Sequence, residues 1–286
     1  MNIQQKRYFL EQGYIASQEI GNPQTAEVSV VFLHGWLDNS SSFLGLINEL
    51  SCNFSGAHLC AIDLPGHGLS SHKSNDNFYP FHDYIDDIYQ LLLNLSPNRL
   101  VLVGHSLGAL IASCYSAAFP EQVAGLVQIE GVGPLAESPD KSVTRLRNGV
   151  LSRQRIRRKP KRSLPTLEDA IARRAAVNHL DTELIRPVVE RGIEQRGDQW
   201  VWRHDVKLNS DSLFRMSFEH AWQFSGQIQC PHRVILGEQG FGYLKQNRDC
   251  LANNHCEMFT ISGGHHCHLE QPSQVAELIF GLVNKI

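Results

Sequence analysis

The sequence has no hydrophobic run long enough to span a bilayer, and residues 1–7 lack the apolar stretch of a signal peptide. Its formal net charge of -3 at pH 7 gives no overall attraction to nucleic acid or to an anionic membrane. The seven cysteines are odd in number and never spaced as C-x-x-C, which fits a reducing compartment better than a disulfide framework. We therefore expect a cytoplasmic protein that acts on a small molecule, without a nucleic-acid or membrane partner.

Apolar, β-rich runs recur along the chain and are mostly continuous, at 28–33, 58–64, 100–103, 123–129, 233–236 and 257–261. Continuous runs are typical of strands covered on both faces, as in a parallel sheet flanked by helices. Apolar residues at helical spacing lie between some of these runs, at 85–95 and 107–114. This alternation predicts an α/β fold with a doubly wound, mostly parallel sheet, whose ligands bind at the carboxyl ends of the strands.

The interval 132–213 departs from this alternation. It lacks a long strand and contains three helical patterns, near 142–158, 167–178 and 182–191. Thr166, followed closely by acidic residues, is typical of a helix N-cap. With no internal repeat or low-complexity linker in the 286 residues, we predict a core of 1–131 and 214–286 with a helical cap inserted at 132–213. The oligomeric state stays open between a monomer and a homodimer.

Residues 104–108, Gly-His-Ser-Leu-Gly, fit the G-x-S-x-G nucleophile elbow and lie where a predicted strand ends and a helix begins. In such a turn the nucleophile takes a strained backbone conformation, and the flanking glycines leave room for the chain to fold back tightly. Ser106 is therefore the candidate nucleophile. An incidental glycine-rich turn is the alternative.

A serine hydroxyl is a weak nucleophile at neutral pH and needs a base to take its proton. His265 follows the last predicted strand and fits the chain order Ser, acid, His that accompanies the G-x-S-x-G elbow. It is therefore the candidate base, and His266 and His268 are the alternatives. The same cluster, 265–268, contains zinc-ligating residue types, but no second ligand pair with suitable spacing accompanies it. We expect no metal and no cofactor.

Two backbone N–H groups are expected to hold the oxyanion of the transition state. Leu107 directly follows the nucleophile, and Trp36 follows the first parallel strand in the motif His-Gly-Trp, 34–36. The indole of Trp36 either lines the pocket or simply packs beneath the cap.

Four motifs together resemble the α/β-hydrolase superfamily over nearly the whole chain, at 34–36, 63–70, 104–108 and 264–265 with 270–272. More narrowly, residues 34–39 with 70–72 resemble the serine hydrolase-like proteins. The resemblance implies a lidded hydrolase of ester or related bonds that needs no cofactor, with residues 63–68 as a structural turn.

The acid of the triad departs from the superfamily pattern, in which it lies two residues beyond a Gly-Glu pair after the penultimate strand. Here that position is Gly240. The predicted acid is instead Glu130, at the carboxyl end of the strand after the nucleophile helix, where some superfamily members resemble this arrangement. Glu238 is the alternative acid.

A run of basic residues without an intervening acid crosses the predicted cap, formed by Arg145, Arg147, Arg153, Arg155, Arg157, Arg158, Lys159, Lys161 and Arg162. Such a run is usually a solvated helix face. The alternative is attraction of an anionic substrate, such as a phosphorylated or coenzyme A-linked acyl group. Nucleic-acid binding is disfavoured because no recognition fold accompanies the charge.

These residues predict a serine hydrolase of the carboxylesterase type. Ser106 attacks a carbonyl, His265 takes its proton, Glu130 orients the imidazole, and water then cleaves the acyl-enzyme. Thioester hydrolysis, acyl transfer and carbon-carbon bond hydrolysis stay open as related reactions. A non-catalytic ligand-binding relative is the alternative of another class.

Overall fold

The computed structural model describes residues 3–159, 163–246 and 256–286. Within these ranges the strands are β1 (Gln4–Phe9), β2 (Tyr14–Ile20), β3 (Ser29–Leu33), β4 (His58–Ile62), β5 (Leu100–His105), β6 (Val123–Ile129), β7 (Ser163–Leu164), β8 (Ile193–Arg196), β9 (Gln199–Trp202), β10 (His232–Gly237) and β11 (Cys256–Ile261). The helices are α1 (Leu44–Asn53), α2 (Asp83–Leu95), α3 (Leu107–Ala118), α4 (Ser142–Arg158), α5 (Leu167–Asn178), α6 (Thr182–Gly192), α7 (Phe218–Gly226), α8 (Gly242–Gln246), α9 (Cys267–Glu270) and α10 (Pro272–Val283). None of these helices is long and apolar enough to cross a membrane.

Eight strands form the central sheet, in the order β1-β2-β4-β3-β5-β6-β10-β11. From β4 to β11 every pair of neighbours is parallel, whereas β2 pairs antiparallel with both β1 and β4. The predicted mostly parallel, doubly wound α/β sheet is confirmed, and the six apolar runs correspond to β3, β4, β5, β6, β10 and β11. Because β5 and β6 are neighbours and β10 lies beside β6, the carboxyl ends of these three strands meet at one edge.

Alternate residues of the central strands pack on opposite faces of the sheet. Val30 and Phe32 of β3 belong to a core cluster that includes α1 and α10, whereas Val31 and Leu33 belong to a cluster that includes α2 and α3. Both sets are fully buried. A strand with helices on both faces needs apolar residues at every position, which explains the continuous runs in the sequence.

Strands β1 and β2 were not predicted, because β2 buries polar residues that interrupt an apolar pattern. Glu19 is fully buried and pairs with Lys6 across the β1–β2 ladder and with His58 on β4. Burial by itself raises the pKa of Glu19, but hydrogen bonds from His58, Ser17 and Lys6 outweigh that effect and lower the pKa to about 2. The strand is held by buried polar pairs that sequence periodicity does not register.

Between β6 and β10 the chain leaves the sheet. Helices α4, α5 and α6 begin and end within one residue of the predicted patterns, and the Thr166 hydroxyl caps α5 by accepting a hydrogen bond from the Asp169 N–H at 3.0 Å. A three-stranded antiparallel sheet, in the order β7-β9-β8, also lies in this segment and was not predicted. Its strands have two to four residues, too short for an alternating pattern to be recognised. The division at residues 132 and 213 stays a prediction, and we call 132–213 the insertion.

Two buried carboxylates of the core hold the insertion. Asp63 accepts N–H groups of Ser40 and Leu69 at 2.8 and 2.7 Å, and it pairs with Arg191 of α6 at 2.9 Å. Asp38 pairs with Arg174 of α5 at 2.6 Å. Asp63 lies in a motif that resembles the α/β hydrolases, and Asp38 lies in residues 34–39, which resemble the serine hydrolase-like proteins. These motifs therefore shape the turn and also anchor α5 and α6.

Candidate active site

Ser106 lies in a strained turn between β5 and α3. Its φ of 49° and ψ of -113° are rare for a residue other than glycine. A side chain at Gly104 would overlap the Gly108 carbonyl, and one at Gly108 would overlap the carbonyl of Leu33 on β3. Both glycines are therefore required by the close packing of α3 against the sheet, as the sequence pattern predicted.

The turn that carries Ser106 also places the N-terminus of α3 next to this residue. Leu107 is the first residue of that helix, so its N–H is one of the four that have no partner within a helix. The Ser106 N–H donates to the Ile129 carbonyl at 2.9 Å, which fixes the turn to the end of β6. The positive end of the α3 dipole thus faces the Ser106 position.

His265 and Glu130 are in contact. The His265 Nδ1–H donates to Glu130 Oε2 at 3.3 Å. Glu130 is 2% exposed and has a positive φ of 49°. Its Oε1 also accepts the Gly237 N–H at 2.7 Å, and its Oε2 accepts the Phe241 N–H at 3.1 Å. Three hydrogen bonds hold the carboxylate beside the imidazole.

Glu238 does not lie at this imidazole. It is exposed, its N–H donates to the Ile261 carbonyl, and its own carbonyl accepts the Lys245 ammonium at 2.6 Å. At Gly240, by contrast, an added Cβ would overlap the carboxylate of Glu130. The carboxylate from β6 therefore occupies the space in which a side chain on residue 240 would begin.

The residue before the serine is bonded to the histidine loop. His105 is buried, and its Nε2–H donates to the carbonyl oxygen of His265 at 2.8 Å. Burial, and then the neighbouring histidines, lower the pKa of His105 well below its usual value, so its ring is neutral with the proton on Nε2. The ring of Phe241 packs on His265 with centroids 4.3 Å apart. Sequence reasoning missed both contacts, because a histidine inside G-x-S-x-G and an aromatic after a glycine carry no distinctive pattern.

The two alternative histidines have other surroundings. His266 Nε2 lies 3.4 Å from Asp38 Oδ2, and Arg174 pairs with the other oxygen of the same carboxylate. His268 is buried between His105 and Phe43, and burial followed by repulsion from His266 lowers its pKa to about 3. Among the described residues, the imidazole in contact with Glu130 is that of His265.

Three buried residues of types that can bind a metal lie close together near the nucleophile elbow. One ligating atom each of Asp38, His105 and His266 fall within 4.8 Å of one another. Burial by itself raises the pKa of Asp38, but His266, Arg174 and His105 hold it well below the usual range. The Arg174 guanidinium already neutralises the carboxylate, so Asp38 is held in a buried ion pair.

Trp36 is half-exposed and lies in the wall of a cavity. Its indole Nε1–H donates to the Leu208 carbonyl at 3.0 Å, so the ring lines the pocket and is also fixed to the segment that follows the insertion's small sheet. The preceding His34 is fully buried, and its Nε2 accepts the Leu64 N–H at 2.9 Å. This bond braces the loop that carries the Trp36 backbone.

The cavity encloses about 770 Å³, within the range of roughly 300–1,000 Å³ that small-molecule sites occupy. Ser106, Leu107 and Glu130 line it on the sheet side. Its walls are rich in aromatic side chains, from Trp36, Phe78, Tyr79, Phe81, Phe214, Phe218, Trp222, Phe241 and Tyr243. Of the predicted basic run, Arg145 and Arg153 line the cavity, and Lys161 and Arg162 lie outside the described residues. The arrangement suits an apolar molecule with a group that reacts at the sheet edge.

Comparison with known proteins identifies the family to which the chain belongs. The model of the alpha/beta hydrolase fold family matches residues 28–179, just over half of the 286 residues. This range contains the elbow and Glu130.

Relatives of known name match over most of the chain. A serine hydrolase-like protein of Danio rerio is 28% identical over 262 residues, covering 87% of this chain and 79% of the relative. An esterase of Mycobacterium tuberculosis is 26% identical, covering 89% and 82%. The crystal structure of a hypothetical protein from Pseudomonas aeruginosa PAO1 superposes with a TM-score of 0.88 at 29% identity, covering 99% of each chain.

Proposed function

Because the chain belongs to the α/β-hydrolase superfamily, we propose that it is a serine hydrolase that cleaves a carboxylic ester through an acyl-enzyme. The observation that carries the proposal is the pairing of His265 with the buried Glu130, which lines the same cavity as a serine held in a strained turn. The esterase and serine hydrolase-like relatives support it.

The first half of the reaction forms the acyl-enzyme. Ser106 Oγ attacks the carbonyl carbon while its proton passes to His265, at Nε2 because Nδ1–H faces Glu130. The oxyanion accepts hydrogen bonds from the Trp36 and Leu107 N–H groups. The intermediate then collapses, the carbon-oxygen bond to the alcohol breaks, and the alcohol leaves with the proton from His265.

The second half hydrolyses the acyl-enzyme. Water attacks the acyl carbon and gives its proton to His265, and collapse of the second intermediate releases the carboxylic acid and restores Ser106. Glu130 stabilises the imidazolium in both halves, and the N–H groups of Gly237 and Phe241 hold its carboxylate in position. No redox partner or metal enters the balance.

The test is mass spectrometry after reaction with a fluorophosphonate probe, together with hydrolysis of p-nitrophenyl butyrate. We expect one adduct, on Ser106, which is absent in Ser106→Ala. Glu130→Gln should slow both labelling and turnover by roughly 10³-fold to 10⁴-fold, the scale seen when a triad acid is replaced by its amide.

Glu238→Gln is the matched control, since it removes the same charge from an exposed glutamate, and it should stay within twofold of wild type. A folded wild-type protein that takes up no probe would overturn the proposal in favour of a ligand-binding relative. Equal losses in Glu130→Gln and Glu238→Gln would overturn the assignment of the acid.

A further inference from the structure

Among the residues that the structure describes, four cationic side chains line the cavity, and two of them are already neutralised. Arg145 pairs with Glu137, and the Lys207 ammonium lies 3.4 Å from Asp205 and donates to the carbonyls of residues 74 and 77. Within the part of the chain that the structure describes, the other two, Arg153 and Arg215, have no carboxylate partner. Neither of these two guanidinium groups is therefore held in an ion pair.

Arg153 is held inside the cavity in an unsatisfied state. Its guanidinium lies over the ring of Phe78, 4.4 Å from the centroid, and its Nε is buried without a hydrogen-bond partner. Burial, and then repulsion from Arg157, lower its pKa. A buried donor without an acceptor costs free energy, and an anion in the cavity removes that cost.

Arg215 adds a second charge to the same cavity. It is partly buried, and burial followed by repulsion from Arg145 lowers its pKa. Glu137 and Asp211 offset part of its charge, but Glu137 is paired with Arg145, and Asp211 is exposed and pairs with Arg155. An anion is the missing partner for these cations.

The spacing within α4 explains how part of a solvated basic run reaches the cavity. Residues 145 and 153 are eight apart, so they lie on one face of the helix two turns from each other. Position 149, between them, is a glycine against which Leu213 packs closely. Arg157, one turn further along, is exposed and its guanidinium also lies over Phe78, 5.2 Å from the ring centroid, whereas the adjacent exposed Arg158 lies off this face.

We propose that the cavity takes esters that carry an anionic group, a carboxylate or a phosphate, at the end remote from the scissile bond. Arg153 and Arg215 hold the anion through charge-assisted hydrogen bonds, and the aromatic walls hold the apolar part between it and Ser106. The inference rests on the proposed esterase function and names its substrate class.

The experiment compares esters that differ in one terminal group. In the acyl series, p-nitrophenyl esters of monoacids are set against those of the corresponding ω-carboxy and ω-phosphono acids, from five to ten carbons. In the alcohol series, acetate esters of n-alkanols are set against those of ω-hydroxy acids and ω-hydroxyalkyl phosphates. We expect kcat/KM to be at least tenfold higher for the charged member in one series, and the preferred anion identifies carboxylate or phosphate.

Arg153→Gln and Arg215→Gln should each lower kcat/KM for the charged ester by about 10-fold to 100-fold, the effect of losing one charge-assisted bond. Both should leave the neutral ester within threefold. Arg158→Gln is the matched control, because it removes the same charge from an exposed position of the same helix, and it should change neither substrate. Thermal unfolding of each variant confirms that it folds.

An enzyme that hydrolyses neutral esters without preferring any charged one would overturn the inference and leave the esterase proposal standing. An Arg158→Gln variant that lowers kcat/KM for the charged ester as much as Arg153→Gln would also overturn the inference, since the effect would then come from the overall positive charge of the helix. Absence of turnover on every ester, with no fluorophosphonate adduct on Ser106, is the separate failure of the esterase proposal. For that case, calorimetry of adipate against n-hexanol with Ser106→Ala still tests the anion site, which is overturned if adipate binds no better than n-hexanol.

Discussion

Glutamate at position 130 and glycine at position 240 depend on each other. The carboxylate enters from the end of β6 and lies where a Cβ on residue 240 would stand. The N–H of Phe241, one residue later, donates to the same carboxylate at 3.1 Å. The loop after β10 thus receives the acid from a neighbouring strand and has no room for a side chain of its own at that position.

A carboxylate introduced at position 240 should partly replace the carboxylate of Glu130. We expect Glu130→Ala to lower kcat by roughly 10³-fold to 10⁴-fold, and Gly240→Asp added to it to recover at least tenfold, because the new carboxylate starts in the vacated space. Gly240→Asp alone should lower the unfolding midpoint, since its Cβ overlaps Glu130. Ester hydrolysis and thermal unfolding measure the two effects.

The control is Gln239→Asp in the Glu130→Ala background, which adds the same charge at the exposed preceding residue. It should recover nothing. Equal recovery at 239 and 240 would mean that any nearby negative charge suffices, and the stated dependence between 130 and 240 would be wrong.

At the scale of elements, prediction from sequence succeeded where one repeating pattern governs a segment. The parallel strands and helices α4 to α6 have such patterns. Ser106 and Glu130 follow the carboxyl ends of β5 and β6, which are neighbours in the parallel sheet, and so the two residues lie close together. Strand β2 was not predicted, because its buried Glu19 is paired with Lys6 and His58, which lie on other strands. The Asp38–His266 contact joins two distant loops, and no local pattern encodes such a pair.

The ion pair between Asp38 and Arg174 should be a large part of what fixes α5 to the core. Arg174→Gln leaves a buried carboxylate with reduced compensation, so we expect a loss of about 3–5 kcal/mol in the free energy of unfolding, measured by urea denaturation. The adjacent Arg173→Gln removes an exposed arginine and should cost less than about 0.5 kcal/mol. If the two variants unfold at the same urea concentration, the pair does not stabilise the fold.

Over the whole molecule, buried neutral histidines are the main source of sensitivity to acid. Burial is the largest cause of a lowered pKa at each of His34, His67, His105 and His268. An unfolded histidine has a pKa near 6.5, so below that pH the unfolded chain binds protons that the folded chain excludes. The stabilisation is complete above pH 6.5 and is lost as the pH falls.

Each excluded proton costs about 1.4 kcal/mol per pH unit, and burial also lowers the pKa of the half-buried His204 to about 4, so five histidines give a limiting slope of about 7 kcal/mol per unit. Against a typical stability of about 5–15 kcal/mol, we expect unfolding within about one to two units below pH 6.5. Urea midpoints between pH 8 and pH 4.5 measure the slope, and His268→Phe should reduce it by about one proton. A midpoint that stays constant down to pH 5 would contradict this account.

Within residues 3–159, 163–246 and 256–286, the lysine and arginine side chains on the cavity wall all come from one stretch of chain, from Arg145 to Arg215. That stretch begins after Glu130 and ends before β10, so the sheet holds the reacting residues on either side of it. Under the proposed function, the reacting residues and the anion-binding cations therefore lie on separate segments of the chain. Mutation or exchange within the stretch can alter which ester is accepted while nucleophile, acid and base keep their strands, and related genes are expected to diverge there first.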